Sequence, residues 1–316
     1  MTPGSPSLGG ADVLLAPGLV EWNERRWGLS ARRVEYLSEG RSPARLRAVL
    51  YTDGRGRIRQ PRLDPYLALS FESSAPEGGP QRERQWLSAA SQLAADLADG
   101  RLHGAGNLPP GLGDARPFAW GGLTTAVRYT YTGPLPHDAA HAEAAVRKRM
   151  SKARRAGYTF EPRANADDLQ RMLDSTGARQ NFSYGLSSGD VDALTRLLGH
   201  EVFRCHTVRD PLCEVVSAGA RLVQAGGVAL DWVQGTEPRA LNDGAVQLMY
   251  AGVLQDLDEM GATSFDFGGA NIAAVARAKS SWGFRLTPYV SISRPSVKQL
   301  ALQVPAVRSL ALRIKR

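Results

Sequence analysis

The sequence predicts an α+β protein with two domains, built from mixed, largely antiparallel sheets flanked by helices. Its 316 residues exceed the length of a typical single domain. Both halves combine strand-like segments with amphipathic helical segments, and no internal repeat is visible. Hydrophobic residues make up 43% of the chain and charged residues 22%, which is typical of a globular protein that buries a sizeable core.

The first half is predicted to contain three strands, one helix and a further strand. Residues 1–12 are small and polar, and we expect them to be disordered. Branched and aromatic residues between turn-forming glycines and prolines predict strands at 33–40, 45–61, 63–71 and 117–133. Residues 80–100 place Trp86, Leu93 and Leu97 on one face, which predicts a helix ending at Gly100.

The second half combines helices with a run of three consecutive strands. Apolar periodicity and capping residues predict helices at 138–156, 165–178, 190–200, 242–260 and 271–283. Strands are predicted at 158–162, 201–210, 213–227, 228–236, 263–269 and 284–295, and the tight turns between 201 and 236 favour an antiparallel meander.

These elements predict two domains that meet at a boundary after residue 135. The N-terminal domain is expected to span 13–135 and the C-terminal domain 136–295. The basic segment 296–316 is expected to pack back on the first domain.

The charge balance favours anionic partners. The chain has 39 Lys and Arg against 31 Asp and Glu, a formal charge of +8, and its sequence pI is about 9.8. Nucleic acid, phosphorylated metabolites and an acidic membrane surface all fit this balance. No run of 18 apolar residues and no signal-peptide pattern is present, so we expect a cytoplasmic protein.

Asp266 lies between two aromatic residues of a predicted strand. Its side chain therefore points away from Phe265 and Phe267, and it either lines a cleft or caps the turn at 268–271. Gly268 and Gly269 would let the backbone approach a ligand closely, although a Gly-Gly pair after a strand is also an ordinary turn.

One predicted helix carries a strongly basic face. The segment 147–155 holds six basic residues and no acidic one, and five of them are the predicted nucleic-acid contacts: Arg147, Lys148, Lys152, Arg154 and Arg155. A basic face that only meets solvent is the alternative. His137 and His141 have metal-ligand spacing, but no third ligand accompanies them, so we predict no metal site.

Four stretches resemble the FemABX peptidyltransferases and the related FemAB-like branch of the GNAT acyltransferase superfamily. They are the aromatic strand FAWGGLTTAVRYTYTGPL (118–135), the basic helix and strand RKRMSKARRAGYTFE (147–161), the helix-to-strand passage 241–269 that ends in Asp-Phe-Gly-Gly, and ARAKSSWGF (276–284). The last is similar to the family's Phe-Lys-x-x-Phe-Gly signature, with Ala278 in place of the first aromatic residue and Trp282 in place of the second.

The resemblance implies two GNAT-like domains and a set of site residues. Lys279 is expected to stabilise the charge of the reacting complex, since a fixed cation favours a tetrahedral oxyanion over the ground state. An ordinary exposed helix lysine is the alternative. Asp266 is expected to act beside it, and Gly268, Gly269, Asn271, Trp282 and Tyr250 are expected to bind substrate.

The activity implied is transfer of an amino acid from aminoacyl-tRNA to an amine of a peptidoglycan precursor, with peripheral contact to the inner membrane surface as a further expectation. We expect no cofactor, because the Arg/Gln-x-x-Gly-x-Gly/Ala segment that holds the CoA pyrophosphate in GNAT acetyltransferases is not found. The alternatives are an N-acyltransferase that uses acyl-CoA or an acyl carrier on a small amine, and a catalytically silent binding protein with the same fold.

Overall fold

The computed structural model describes residues 12–224 and 226–295. Its helices are α1 (Pro17–Trp27), α2 (Pro80–Asp99), α3 (Arg116–Trp120), α4 (Ala144–Arg155), α5 (Ala166–Gln180), α6 (Ser188–Leu198), α7 (Ala245–Glu259) and α8 (Ala273–Ser280). Its strands are β1 (Ser30–Leu37), β2 (Arg45–Thr52), β3 (Ile58–Arg59), β4 (Leu69–Glu72), β5 (Ala105–Asn107), β6 (Thr124–Pro134), β7 (Thr159–Glu161), β8 (Phe203–Arg209), β9 (Val215–Val223), β10 (Val228–Thr236), β11 (Ser264–Asp266) and β12 (Arg285–Ser293).

These strands form two sheets. In the smaller one, β2 pairs with β1 on one edge and with β3 and β4 on the other, all antiparallel. The larger has the order β5-β12-β6-β11-β10-β9-β8-β7, and within the described residues its one parallel pair is β10 with β11. The predicted α+β class with mixed, largely antiparallel sheets is confirmed.

Helices cover both faces of the larger sheet. On one face, α1, α5 and α6 bury a cluster that includes Leu19, Leu169 and Leu194. On the other, α4 and α7 bury a cluster that includes Val146 and Val253. A third cluster packs α2 against the small sheet and the end of β12. Burial of these apolar stripes is the main force that holds each helix on its sheet.

Local capping explains where two of the helices begin. The side chain of Asn165 accepts a 2.7 Å hydrogen bond from the backbone N–H of Asp168, as predicted for the start of α5. Ser187 and Asp190 form a capping box at the start of α6, so this helix begins two residues before the predicted position.

Several predicted elements differ from the structure. Residues 117–120 belong to the short helix α3, because Pro117 suits a first helical turn and β6 starts only at Thr124. Residues 63–68 are irregular, and the strand predicted there is limited to β4. Helix α1 was not predicted; Leu19, Val20 and Trp22 bury its inner face.

The terminal predictions lie almost wholly outside the described residues. This holds for 1–11 and for the tail 296–316, whereas Asp12 begins a short 3₁₀ helix. The domain boundary after residue 135 stays a prediction, and the larger sheet takes β5 and β6 from one side of it and its other strands from the other side. In the described part of the chain, every helix is too short or too polar to cross a bilayer.

Candidate active site

The two parallel strands β10 and β11 run together for three residues and then separate. They pair from Val228 with Ser264 to Leu230 with Asp266. Beyond this point β10 pairs with β9 alone and carries a bulge between Asp231 and Val233. A notch therefore opens between the strands, and bulges of this kind commonly redirect side chains beside functional sites.

A glycine turn closes the second strand at this notch. Gly268 has φ 68°, in the left-handed region that favours glycine. A Cβ atom on Gly268 would lie 2.6 Å from the carbonyl oxygen of Asp231, so a larger residue would collide with β10. The turn therefore lies against the β10 backbone just where the two strands part.

Lys279 projects from α8 onto this turn. Its Nζ donates hydrogen bonds to the carbonyl oxygens of Phe267 and Gly269, the second at 2.7 Å. Burial lowers the pKa of Lys279, whereas the carboxylates of Asp231 and Asp266 raise it. Because an ammonium has three N–H groups, one donor is left after both carbonyls are bonded. Lys279 is thus a fixed, partly buried cation at the notch.

Asp266 is buried beneath the turn and accepts three hydrogen bonds. They come from the hydroxyl of Thr130 at 2.6 Å, the hydroxyl of Tyr66 at 2.8 Å and the backbone N–H of Gly268 at 2.8 Å. Burial raises the pKa of Asp266, and these donors oppose that rise. Asp266 therefore caps the glycine turn and ties it to β6 and to Tyr66.

A buried ion pair forms the other side of the notch. Arg221 on β9 is fully buried, and its Nη2 lies 3.0 Å from Oδ1 of Asp231. The hydroxyl of Tyr250 on α7 donates a 2.7 Å hydrogen bond to Oδ2 of Asp231. The Arg221 guanidinium also lies 5.6 Å from the centre of the Tyr250 ring. This arrangement fixes a carboxylate near the Lys279 ammonium.

Comparison with known proteins gives a family match for part of the chain and similar solved structures for most of it. Residues 140–276 match a family described as an acetyltransferase (GNAT) domain. A crystal structure of FemX superimposes with a TM-score of 0.62, covering 93% of this chain and 95% of that one at 12% identity. Residues 140–276 are thus similar to a GNAT domain, and the fold of the chain resembles that of FemX.

Two further solved structures resemble this chain over almost their whole length. One is the C-terminal domain of a putative lysylphosphatidylglycerol synthetase from Agrobacterium fabrum, with a TM-score of 0.55, 15% identity and coverage of 91% and 96%. The other is L-PGS from Bacillus licheniformis, with a TM-score of 0.52, 15% identity and coverage of 92% and 96%. At these identities the likeness concerns the fold. No curated protein matches the sequence significantly.

The fold brings most of the predicted site residues together. Lys279 contacts Gly269 directly, and Gly268 is bonded to Asp266. Tyr250 packs against the ring of Phe267 at 5.2 Å between centroids. Lys279 and Tyr250 therefore converge on the notch from α8 and α7, and the catalytic and substrate-binding roles assigned to these residues stay predictions.

Two predicted substrate contacts have structural partners within the chain. Asn271 accepts a hydrogen bond from Tyr129 N at 3.0 Å and donates to the hydroxyl of Tyr289 at 3.0 Å, so its amide links the turn to β6 and β12. Trp282 is buried in the core, with its ring 5.7 Å from that of Tyr250. These contacts account for both residues as supports of the notch, and their predicted contact with substrate stays untested.

The basic residues of α4 are all exposed, but they differ in their partners. Arg147 donates to the carbonyls of Ala140 and Ala142, and Lys152 pairs with Asp243 at 2.8 Å. Within the described ranges, the remaining predicted nucleic-acid contacts form no salt bridge: Lys148, Arg154 and Arg155. These three cations are available to a polyanion.

Three residues at the notch were not predicted from the sequence: Asp231, Arg221 and Tyr66. Arg221 is the one charged residue of β9 and Asp231 the one charged residue of β10, and an isolated charge in a largely buried strand is a signal for a paired or functional group. Tyr66 gave no such signal, because only the packing of the first half of the chain against β11 brings it to Asp266. Among the described residues, no group of three or more His, Cys, Asp and Glu side chains is placed to hold a metal ion.

Proposed function

We propose that this protein is an aminoacyltransferase that moves an amino acid from aminoacyl-tRNA to an amine of a peptidoglycan precursor. The observation that carries the proposal is the Lys279 ammonium, held by two carbonyl oxygens at the point where β10 and β11 separate. The fold shared with FemX supports it, because that fold includes both halves of the chain.

In the proposed reaction, the acceptor amine attacks the ester carbonyl of the aminoacyl-tRNA. The new C–N bond forms as the carbonyl becomes a tetrahedral oxyanion, and the free N–H of Lys279 donates to that oxygen. The ester C–O bond then breaks, and the proton lost by the amine ends on the ribose oxygen of the tRNA. The balance is one amide formed and one ester cleaved.

The carboxylates near Lys279 have a supporting role in this scheme. Burial disfavours the ammonium form, and Asp231 and Asp266 counteract it by raising the pKa of Lys279. Asp231 is itself held by Arg221 and Tyr250, and Asp266 by three donors, so we assign neither as general base. Both act through Lys279.

The exposed cations of α4 are proposed to contact the tRNA backbone, where Lys148, Arg154 and Arg155 would neutralise phosphates. Peripheral contact with an acidic membrane surface is a further part of the proposal, motivated by the formal charge of +8 and by the lysylphosphatidylglycerol synthetase neighbours. The protein is proposed to act in the cytoplasm.

The first experiment is a transfer assay with purified protein, a pool of labelled aminoacyl-tRNA and peptidoglycan precursors. We expect labelled product that disappears after ribonuclease treatment and in Lys279→Ala. Arg84→Ala on α2 removes an exposed cation elsewhere and is the matched control. No transfer by folded wild-type protein to any precursor would refute the proposal.

A second candidate is an N-acyltransferase that takes its acyl group from a thioester. The family description, an acetyltransferase domain, is the observation that favours it. Transfer from acyl-CoA or an acyl carrier to a small amine, unaffected by ribonuclease, would establish this reaction instead. If Lys279→Ala gives the same background signal as the wild type in both transfer assays, the protein is a binding protein with this fold and not a transferase.

A further inference from the structure

Strand β6 has one edge that faces away from its partner β12. The register places Tyr129 opposite Pro288, and proline has no N–H to share. The N–H and C=O of Tyr129 therefore point to the other edge of β6, as do those of Thr125, Val127 and Tyr131, since alternate residues of a strand bond on the same side.

The loop after β11 covers only part of this edge. Tyr131 accepts from the backbone N–H of Phe267 at 3.0 Å, and Tyr129 accepts from Ala270 at 2.7 Å. The Asn271 side chain completes the pattern, because its amide both accepts from Tyr129 N–H and donates to Tyr129 C=O, as a neighbouring strand would. The hydrogen bonds from this loop to the edge of β6 end at Tyr129.

The next two outward-facing residues, Val127 and Thr125, are open. Across residues 12–224 and 226–295, their backbone groups on this edge have no hydrogen-bond partner. Val127 is 61% exposed, and Thr125 and Ala126 are exposed as well. Natural edge strands are commonly protected by lysine, proline or a covering element. No lysine or proline lies between Thr124 and Val127, and no element of the described ranges pairs with this edge there.

The strand that carries the open edge and the chain after β11 contain basic residues and no acidic ones. The segments 115–135 and 267–295 contain no Asp or Glu. Arg128, next to Val127, is exposed and forms no salt bridge within the described part of the chain. A partner strand that carries carboxylates would meet favourable charge here.

We propose that the open edge of β6 at 125–127 binds an extended, carboxylate-bearing peptide by strand addition, and that this peptide is the stem of the acceptor. The identity of the peptide rests on the proposed function. Val127 is two residues, about 7 Å, from Tyr129. Tyr129 is bonded to the turn that holds Lys279, so a peptide on this edge lies beside the notch. Backbone pairing supplies affinity without requiring a particular side chain.

The test measures binding of a fluorescent synthetic stem pentapeptide without any tRNA. Val127→Pro removes the outward N–H but no bond to β12, and Val127→Thr keeps the backbone group and is the matched control. We expect Val127→Pro to weaken binding about tenfold or more and Val127→Thr to stay within about twofold. Thermal unfolding of both variants verifies that they fold.

N-methylation of single peptide amides tests the same pairing without altering the protein. We expect one or more N-methylated peptides to bind wild-type protein about tenfold more weakly, with little further loss in Val127→Pro. Equal binding to wild type and Val127→Pro would overturn the proposal, as would equal loss in both Val127 variants. Self-association that Val127→Pro abolishes, without peptide binding, would assign the edge to a second copy of the chain.

The peptide-binding result is separable from the proposed function. Peptide binding with the expected pattern, in a protein that transfers no amino acid, would support the strand-addition site and refute the transferase. Transfer from aminoacyl-tRNA with no sensitivity to Val127→Pro would support the transferase and refute the site.

Discussion

Tyr66 and Asp266 are 200 positions apart in the chain, yet the Tyr66 hydroxyl donates a 2.8 Å hydrogen bond to Oδ2 of Asp266. Both residues are buried. The bond joins the first half of the chain to the turn that holds Lys279. Folding of the first half is therefore linked to the geometry of the notch.

Tyr66→Phe tests this link. It leaves the buried Asp266 carboxylate with one donor fewer, so we expect the free energy of unfolding to fall by about 1–3 kcal/mol. Denaturant unfolding measures the change. Tyr131→Phe is the control, because the Tyr131 hydroxyl has no hydrogen bond within the described chain, and a change within about 0.5 kcal/mol is expected there. Equal effects in the two variants would contradict the link.

The pH dependence of transfer tests the charge state of Lys279. Burial lowers its pKa below the ordinary 10.5, so the rate constant for the unprotonated acceptor amine should fall as pH rises through the lowered pKa of Lys279. Asp231→Asn removes a carboxylate that raises this pKa and leaves the Arg221 charge that lowers it. The fall should therefore move to lower pH. Single-turnover rates, corrected for ester hydrolysis, measure the shift.

The control for this experiment is Asp174→Asn, which removes an exposed carboxylate on α5. Its profile should coincide with that of the wild type. A rate constant that still rises through the lowered pKa, after correction for ionisation of the acceptor amine, would mean that neutral Lys279 is the active form.

Comparison of Gly268→Ala with Gly122→Ala separates the effect of a steric collision from that of backbone strain. In Gly268→Ala the Cβ would meet the Asp231 carbonyl oxygen, and the φ of 68° is unfavourable for alanine. We expect a loss of stability of about 2–4 kcal/mol together with loss of transfer. In Gly122→Ala, φ is also positive but no atom lies within 4 Å, so we expect only about 1 kcal/mol. Equal losses of unfolding free energy in Gly268→Ala and Gly122→Ala would show that the surrounding backbone shifts to relieve the collision with Asp231.

If the exposed cations of α4 bind the tRNA backbone, the affinity for aminoacyl-tRNA should depend on salt through them. The triple change Lys148→Glu, Arg154→Glu and Arg155→Glu should weaken aminoacyl-tRNA binding about tenfold or more and flatten the plot of log affinity against log salt. A control triple, Arg84→Glu, Arg163→Glu and Arg196→Glu, makes the same change in charge at exposed sites elsewhere. If both triples weaken binding equally, net charge and not α4 is responsible.

We expect Asp64 to make the free energy of unfolding depend on pH. This carboxyl is buried, and burial raises its pKa to about 8, although Asn23 donates to it at 3.0 Å. In the folded protein Asp64 therefore stays protonated up to about pH 8, whereas in the unfolded chain it loses its proton near pH 3.8. The contribution of Asp64 to the free energy of unfolding is thus fully present below about pH 4 and declines as pH rises from about 4 to 8. Asp64→Asn removes the decline.

Denaturant unfolding of wild type and Asp64→Asn across pH 4–8 measures this effect. The variant should gain relative stability with rising pH, by at most about 1.4 kcal/mol per pH unit. His206, whose pKa burial lowers to about 4, contributes the opposite slope in both proteins and cancels in the difference. A difference that does not change with pH would show that Asp64 is ionised throughout.

Features that depend on neighbouring residues in the chain could be predicted without the structure. Apolar periodicity located α2, α5 and α7, and Asn165 marked the start of α5 because a cap needs only the next three residues. The segment 265–284 contains the strand end, the glycine turn and Lys279 within 20 residues, so this part of the site was visible as a local pattern. The exposed basic face of α4 likewise follows from the positions of its buried stripe.

Only the tertiary structure decided which distant groups meet. Arg221, Asp231 and Tyr66 reach the notch from β9, β10 and the chain before β4, and their partners depend on strand order and register, which local periodicity does not encode. The same holds for the open edge of β6, since the exposure of Val127 depends on where the loop after β11 stops covering that edge. Burial against remote elements also made α1 a helix, because its apolar face is completed by α5 and α6 and not by its own neighbours in the chain.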